Sequence, residues 1–294
     1  MKILVLGGWG QLGSDLAKVA AGRHELIAPR HADLDVGDAD GLVRMLEAER
    51  PEAVVNAAAI HKVELCDEDP ARAFAVNAIG ALNVARAAHA AGARTVYIST
   101  DYVFDGRRPG GFSEDDPVGP LNVYGVSKAA GEAAVRQADP AALIVRGSGL
   151  FGHAGSAGKG GNFVDNMIGR ARSGQPLSIV DDQIFAPTAT HDMAERILLL
   201  LERGVPAGNY HAANAGSCSW YLLARTAIEI EGIEADVSPR PTGETVIRRP
   251  VCSVLLDTKS ESLGLPPNRS WEEALRWYLA HRPEPETVEG RPPR

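Results

Sequence analysis

Short apolar runs alternate with helical patterns through the first half of the chain. Residues 2–6 are a nearly continuous apolar run, which is typical of a strand buried on both faces of a parallel sheet. Further runs of this kind lie at 24–28, 53–56, 94–99 and 142–146, and helical patterns separate them. Strands that alternate with helices predict an α/β fold with a Rossmann-type, doubly wound parallel sheet.

The alternation becomes less regular after residue 150. We therefore predict a dinucleotide-binding domain over residues 1–150, to which later segments return, and a smaller C-terminal α/β lobe that binds substrate over 151–281. The 294 residues are enough for one large domain with such a lobe. Residues 282–294 are rich in Pro, Glu and Arg, a composition that predicts a disordered tail.

A glycine-rich turn follows the first strand directly. Gly7, Gly10 and Gly13 are spaced G-x-x-G-x-x-G and precede a helical segment that starts near Ser14. This spacing suits a tight turn, close approach of the backbone to a pyrophosphate and close packing of helix on strand. The helix N-terminus then faces the negative charge. The segment predicts a dinucleotide site, and a plain strand–turn–helix is the alternative.

Two later segments extend this prediction along the same edge of the sheet. Arg30 follows the second strand, where NAD sites often have Asp or Glu, and an arginine suits the 2′-phosphate of NADPH. Arg30 as an ordinary surface residue is the alternative. Ala57, Ala58 and Ala59 follow the third strand, and such small residues let a ligand approach the backbone.

The strongest chemical signal lies after the fourth strand. Tyr124 and Lys128 are four residues apart and share one face of a predicted helix. A nearby ammonium group favours the phenolate and lowers the pKa of a tyrosine, which can then protonate a carbonyl oxygen while a hydride reaches its carbon. Thr100 ends the fourth strand and would hold the same oxygen. A surface Tyr–Lys pair is the alternative.

The helix that precedes the fourth strand carries a further polar candidate. We predict one long helix that begins at Asp69-Pro70 and ends near Gly92. Asn77 lies on it. Either Asn77 ties the helix to the backbone beside the active site, or its polar groups are satisfied locally.

Net charge and cysteine content limit the classes of binding partner and the cellular compartment that we expect. A net charge of −8 argues against broad binding to nucleic acids or anionic membranes, so an anionic substrate needs local basic groups. Arg248 and Arg249 form such a pair and are candidates for a substrate diphosphate, with a solvated charge pair as the alternative. The three cysteines are widely spaced, which favours a reduced, cytoplasmic compartment and no metal cluster. No signal peptide or run of transmembrane length is visible.

These motifs, in this order, resemble the extended short-chain dehydrogenase/reductase superfamily and, within it, the dTDP-4-dehydrorhamnose reductase family. The resemblance covers nearly the whole chain, to about residue 280. It is carried by Gly10-Gln11-Leu12-Gly13, Asn56-Ala57-Ala58-Ala59, Ser99-Thr100-Asp101-Tyr102-Val103-Phe104 and Pro120-Leu121-Asn122-Val123-Tyr124-Gly125 through Lys128. It implies NADPH-dependent reduction, with NADH also open, of the C4 ketone of a nucleotide-linked 6-deoxy sugar, giving dTDP-L-rhamnose from dTDP-4-dehydro-L-rhamnose.

The resemblance also assigns roles to matching positions. Catalysis would rest on Thr100, Tyr124 and Lys128, and the sugar would touch Thr100 and Asp101. Arg249, from the basic pair described above, is the further candidate substrate ligand. Together with the glycine turn, it predicts these residues around the cofactor: Gly7, Gly10, Gln11, Leu12, Arg30, Asp35, Val36, Ala57, Ala58, Ala59, Tyr124 and Lys128. No metal ligand is predicted, and a homodimer is an open expectation.

Four departures from the family pattern bear on which substrate is accepted, or on whether one is turned over, rather than on the hydride chemistry. Gly149 stands where the family usually has a tryptophan that packs on the sugar. Arg30 replaces the usual acidic residue beside the adenosine, and Phe185 replaces the usual glycine before Ala-Pro-Thr. The segment before Asp257 is shifted by one residue.

Two other functions stay open at the level of sequence. One is a nucleotide-sugar epimerase or dehydratase of the same superfamily. Dehydratases of this kind place an acidic residue where this chain has Tyr102, which argues against that activity. The other is a non-catalytic NADP-binding subunit similar to the regulatory subunit of methionine adenosyltransferase. The intact group of Thr100, Tyr124 and Lys128 favours an enzyme.

Overall fold

The computed structural model describes residues 1–154 and 161–282. In chain order, the strands are β1 (Lys2–Leu6), β2 (Glu25–Ile27), β3 (Ala53–Asn56), β4 (Arg94–Thr100), β5 (Leu143–Gly147), β6 (Leu150–Phe151), β7 (Leu177–Val180), β8 (Ile184–Phe185), β9 (Thr188–Ala189), β10 (Gly208–His211), β11 (Cys218–Ser219) and β12 (Val237–Arg240). The α-helices are α1 (Gln11–Ala20), α2 (Ala39–Glu49), α3 (Val63–Glu68), α4 (Pro70–Phe74), α5 (Ala81–Ala90), α6 (Val123–Ala138), α7 (Phe163–Arg172), α8 (Thr190–Glu202), α9 (Trp220–Ile230), α10 (Thr258–Ser262) and α11 (Trp271–Ala280).

Six strands form one parallel sheet in the order β10-β5-β4-β3-β1-β2. The chain winds from β1 to β2 at one edge and then places β3 on the other side of β1, so the winding reverses between β1 and β3. In open α/β sheets, ligands bind beyond the carboxyl ends of the strands at this point. Gly7 and Ala57 directly follow these two strands. The predicted doubly wound sheet is confirmed.

The sheet is buried on both faces, which explains the continuous apolar runs in the sequence. Ile3 and Val5 of β1 join one apolar cluster with residues of α1 and α8. Leu4 and Leu6 point the other way and join a cluster with residues of α2 and α5. Successive side chains of a strand point to opposite faces, so both faces of β1 need apolar residues.

The second half of the chain contributes to two cores. Strand β10 joins the large sheet beside β5. Helix α8 packs on the same face of that sheet as α1, in the cluster that contains Ile3 and Val5. Helices α7, α9 and α11 share a separate core with Leu177, Ile179 and Phe185 of β7 and β8. We call the part of the chain around this separate core the second lobe. Three short strand pairs lie outside the large sheet: β7–β12, β8–β11 and β6–β9.

Three local predictions differ from the structure. The long helix after Asp69 is divided, because a π-helix at Ala75–Gly80 separates α4 from α5. Helix α3 was not expected from the sequence. Residues 283–294 of the predicted tail lie outside the described residues. None of the helices in the described part of the chain is long and apolar enough to cross a membrane.

Candidate active site

A cleft of about 1600 Å³ lies along the carboxyl edge of the sheet, with residues of the second lobe on its opposite side. It brings together nearly all of the residues singled out in the sequence. The predicted residues that line it are Gly7, Gly10, Gln11, Leu12, Asp35, Val36, Ala57, Ala58, Ala59, Thr100, Asp101, Tyr124, Lys128 and Arg249. Arg30 is absent from this lining.

The glycine turn has the shape that a dinucleotide needs. Gly7 has φ +75°, and a Cβ there would lie 2.7 Å from the carbonyl carbon of Ala57. A Cβ on Gly13 would lie 2.3 Å from the Cα of Gly8, so both positions exclude a side chain. Helix α1 begins at Gln11 without a side-chain cap, which leaves its first N–H groups for a ligand. Gln11 Oε1 is buried without a hydrogen-bond partner among the described residues.

Arg30, which was expected beside the adenosine of a cofactor, adopts an unexpected position. The guanidinium group of Arg30 lies over the ring of Trp9, 4.5 Å from its centroid. Trp9 lines the cleft, and its indole N–H donates to the Ala28 carbonyl at 3.1 Å. His31 Nε2 lies 3.3 Å from Asp35 Oδ2. Arg30 therefore stands beside the wall of the cleft and not in it.

Tyr124 and Thr100 meet at the end of β4. Burial raises the pKa of Tyr124 well above its ordinary value, and a hydrogen bond with Thr100 opposes the rise. The Thr100 hydroxyl donates to Asp101 Oδ1 at 2.9 Å and accepts the Tyr102 N–H at 3.2 Å. The sequence led us to expect a lowered pKa for Tyr124, but in this structure burial raises it. Burial keeps Tyr124 protonated, which is the form a proton donor must start in.

Lys128 is 2% exposed and lies one turn after Tyr124 on α6. Its Nζ donates to the Ile98 carbonyl at 2.7 Å and lies 4.0 Å from the ring centroid of Tyr97. Burial lowers the pKa of Lys128 to about 7, although Glu132 and Cys66 oppose this. The ammonium group is therefore held at the cleft by a carbonyl and an aromatic face, and its charge is expensive in this environment.

Asp101 is 4% exposed and binds three hydroxyl groups. Its Oδ1 accepts from Thr100, and its Oδ2 accepts from Ser148 at 2.8 Å and from Ser253 at 2.6 Å. Burial raises the pKa of Asp101, and these three hydrogen bonds lower it. From the sequence, Asp101 was expected to contact the sugar. The structure adds that Asp101 joins the end of β4 to the end of β5 and to a segment of the C-terminal half.

A buried ion pair supports the lysine, and the sequence analysis did not single it out as a functional feature. Glu132 lies one turn after Lys128 on α6 and accepts two hydrogen bonds from Arg146, both at 2.8 Å. It also accepts the Ser99 hydroxyl at 2.6 Å. Glu132 and Arg146 are both almost fully buried. The available signal was the four-residue spacing that continues from Tyr124 and Lys128 to Glu132.

Asn77 takes the first of its two predicted roles. It is fully buried on the π-helix. Its Oδ1 accepts the Ile60 N–H at 2.9 Å, and its Nδ2 donates to the Ile60 carbonyl at 2.9 Å and to the Ser127 hydroxyl at 2.9 Å. Ile60 lines the cleft and Ser127 precedes Lys128. Asn77 therefore fixes the cleft backbone relative to α6.

Arg249 lines the cleft from the C-terminal half of the chain. Its guanidinium group forms an ion pair with Glu64 of α3. The carbonyl of the preceding residue, Arg248, accepts a hydrogen bond from Asn122 at 2.9 Å. Arg249, the residue predicted to bind a substrate diphosphate, therefore lies at the cleft, and its guanidinium group is paired with the carboxylate of Glu64. The described residues contain no group of three or more His, Cys, Asp or Glu that could hold a metal ion.

Residues 1–283 match the family model described as "RmlD substrate binding domain". The spore coat polysaccharide biosynthesis protein SpsK of Bacillus subtilis is 38% identical over 284 residues, covering 96% of this chain and 98% of that protein. A dTDP-4-dehydrorhamnose reductase of Mycolicibacterium smegmatis is 36% identical over 289 residues, covering 95% of this chain and 85% of that protein.

A solved structure with nearly the same fold contains a nicotinamide cofactor. The dTDP-4-dehydrorhamnose reductase of Bacillus anthracis, in complex with NADP, superposes with a TM-score of 0.90 at 33% identity. The match covers 95% of this chain and 98% of that chain.

Proposed function

The chain belongs to the dTDP-4-dehydrorhamnose reductase family, and from that membership we propose that it reduces the C4 ketone of a nucleotide-linked 6-deoxy sugar. The observation that carries the proposal is the meeting of Thr100, Tyr124 and Lys128 at the same cleft as the glycine turn. We propose dTDP-4-dehydro-L-rhamnose as the substrate and dTDP-L-rhamnose as the product. We place the reaction in the cytoplasm, because all three cysteines are free, buried thiols.

The residues of the cleft fit a dinucleotide, and we propose NADPH, with NADH as a weaker substitute. Gly10, Gln11 and Leu12 would hold the pyrophosphate, and the orphaned Gln11 Oε1 would gain a partner there. Asp35 and Val36 would surround the adenosine, and the three alanines at 57–59 would run beside the middle of the cofactor. When bound, NADPH would supply the hydride for the keto carbon.

The side chains at the end of β4 would carry out the proton transfer. Tyr124 would donate its hydroxyl proton to the developing alkoxide, which its buried, protonated state allows. Thr100 would donate to the same oxygen once its hydroxyl proton turns to the substrate from Asp101, to which it donates in this structure. In its protonated form, Lys128 would stabilise the phenolate left on Tyr124, since it then brings a positive charge one turn along the same helix.

The proposal is tested by following NADPH absorbance with dTDP-4-dehydro-L-rhamnose. We expect the native protein to oxidise NADPH and Tyr124→Phe to lose at least about 100-fold in kcat, because general acid catalysis contributes factors of this size. Cofactor binding to Tyr124→Phe should stay within about 3-fold by fluorescence titration, since the pyrophosphate contacts are unchanged.

Tyr210→Phe is the matched control. Tyr210 is a buried tyrosine outside the cleft, and its hydroxyl donates to the Pro206 carbonyl at 2.7 Å. It should keep full activity. Turnover that survives in Tyr124→Phe would rule out the proposed mechanism, and tight NADPH binding without any oxidation by the native protein would rule out this substrate.

A further inference from the structure

Trp9 is a large aromatic residue in the glycine turn, and it is 63% exposed. It lines the cleft, and its indole N–H donates to the Ala28 carbonyl at 3.1 Å. This hydrogen bond ties the ring to the segment that follows β2. The proposed pyrophosphate ligands Gly10, Gln11 and Leu12 come directly after Trp9 in the chain. Because most of the ring is exposed, core packing does not account for a tryptophan at this position.

The segment after β2 lies against the glycine turn. A Cβ on Gly8 would lie 2.6 Å from the Cβ of Ala28, so the two segments are in close contact. In a dinucleotide-binding sheet, side chains after the second strand face the adenosine ribose, which carries a 2′-hydroxyl in NAD and a 2′-phosphate in NADP. Trp9 and Arg30 therefore meet at the place in the fold where the two cofactors differ.

The guanidinium group of Arg30 lies over the Trp9 ring, 4.5 Å from its centroid. Within residues 1–154 and 161–282, no hydrogen bond or ion pair engages this group, and it is the backbone N–H of Arg30 that donates to Asp33 at 3.3 Å. The N–H groups of the guanidinium are thus available to an anion. A contact with an aromatic face also orders the long side chain before a phosphate binds, which lowers the entropy cost of binding.

We propose that Trp9 is a positioning residue that holds Arg30 for the 2′-phosphate of NADPH, and that it favours NADPH over NADH through Arg30. Trp9 carries no charge of its own. Removal of the ring leaves the cation in place but lets the long side chain of Arg30 move away from the cleft wall. The inference rests on the proposed function, because it takes NADPH as the cofactor.

The test compares NADPH with NADH, which differ only in the 2′-phosphate. Their dissociation constants are measured by isothermal titration calorimetry without a sugar nucleotide. We expect the native protein to bind NADPH at least about 10-fold more tightly, the size that a charge-assisted hydrogen bond gives. Trp9→Ala should reduce this preference about 3- to 5-fold, as expected for a cation–π contact at an exposed site. Its affinity for NADH should stay within about 2-fold of the native value, because NADH has no 2′-phosphate.

Two further variants test whether Trp9 acts through Arg30. Trp9→Phe keeps an aromatic face and should keep the preference within about 2-fold of the native value. The double variant Trp9→Ala/Arg30→Ala should match Arg30→Ala within about 1.5-fold, because the effects of independent residues multiply, whereas effects that act through one group do not.

Tyr221→Ala is the matched control. Arg225 lies over the Tyr221 ring, 5.5 Å from its centroid, so this is another aromatic residue under an arginine. Neither Tyr221 nor Arg225 belongs to the lining of the cleft. The variant should leave the dissociation constants of both cofactors within about 2-fold of the native values.

The outcomes distinguish failure of this inference from failure of the proposed function. An unchanged preference in Trp9→Ala would overturn the role of Trp9 and leave the reductase proposal intact. Equal losses of affinity for NADPH and NADH would also overturn it, because the ring would then bind the adenosine that both cofactors share. A native protein that binds neither cofactor would overturn the proposed function itself, and the inference with it.

Discussion

At the scale of single residues, Lys128 links burial to pH. Its pKa falls from an ordinary 10.5 to about 7 in the folded protein, first of all because of burial. Above pH 7 the folded protein releases this proton, while the unfolded chain keeps it to about pH 10. The unfolded state then binds more protons, so the free energy of unfolding gains a term that rises with pH.

We therefore predict that native protein and Lys128→Met diverge in stability between pH 7.5 and 9.5. The free energy of unfolding of the native protein, relative to that of the variant, should rise by about 1.4 kcal/mol per pH unit. Urea unfolding of the cofactor-free proteins measures it. Lys18→Met, which removes an exposed ammonium group, should show no such slope. A flat difference for Lys128→Met would contradict the buried, easily deprotonated lysine.

A second prediction at this scale concerns Arg30. We expect Arg30→Ala to raise KM for NADPH by about 5- to 10-fold and to change KM for NADH less than about 2-fold, because only NADPH carries a 2′-phosphate. Steady-state kinetics with each cofactor measure it. The control is Arg44→Ala, because Arg44 is also an exposed arginine but lies on α2. Equal effects on the two cofactors would show that Arg30 only stacks on Trp9.

At the scale of elements, α6 presents three buried or cleft-lining candidate side chains on successive turns. Tyr124 and Lys128 face the cleft, and Glu132 lies one turn further on, bound to Arg146 of β5. Removal of one partner from a buried ion pair leaves an uncompensated charge in the protein interior, which is more costly than removal of both.

We predict that Glu132→Gln lowers the free energy of unfolding by about 3–5 kcal/mol, because Arg146 stays charged and buried. The double variant Glu132→Leu/Arg146→Leu should be more stable than Glu132→Gln, since it also removes the unpaired buried charge of Arg146. Urea unfolding at neutral pH measures both. Glu229→Gln, at the surface pair with Arg225, should have little effect. A cost for Glu132→Gln no larger than that control would refute the structural role of the pair.

At the scale of the whole molecule, the candidate active site depends on segments that are far apart in the chain. Asp101 binds hydroxyls from Ser148 and Ser253, which are 47 and 152 residues away. Arg249 forms an ion pair with Glu64 of α3, far earlier in the chain. The second half of the chain also completes the large sheet through β10. The catalytic end of the cleft is therefore assembled only when both halves of the chain fold together.

Local patterns in the sequence determined the fold class and most of the cleft. The two-sided apolar strands predict a parallel sheet, and Gly7 and Gly13 occupy positions where a Cβ does not fit. The spacing of Tyr124 and Lys128 predicts one helix face. These features could be predicted because each depends on periodicity or on backbone sterics over a few residues.

Only the tertiary structure decided the contacts between distant segments. It stacked Arg30 on Trp9, paired Glu132 with Arg146, and gave Asp101 its hydroxyl partners. It also placed Phe185 on Gly149, which the sequence shows as two unrelated departures. Such contacts join residues that share no local pattern. They arise because close packing fills each space with whichever side chain the folded chain brings there.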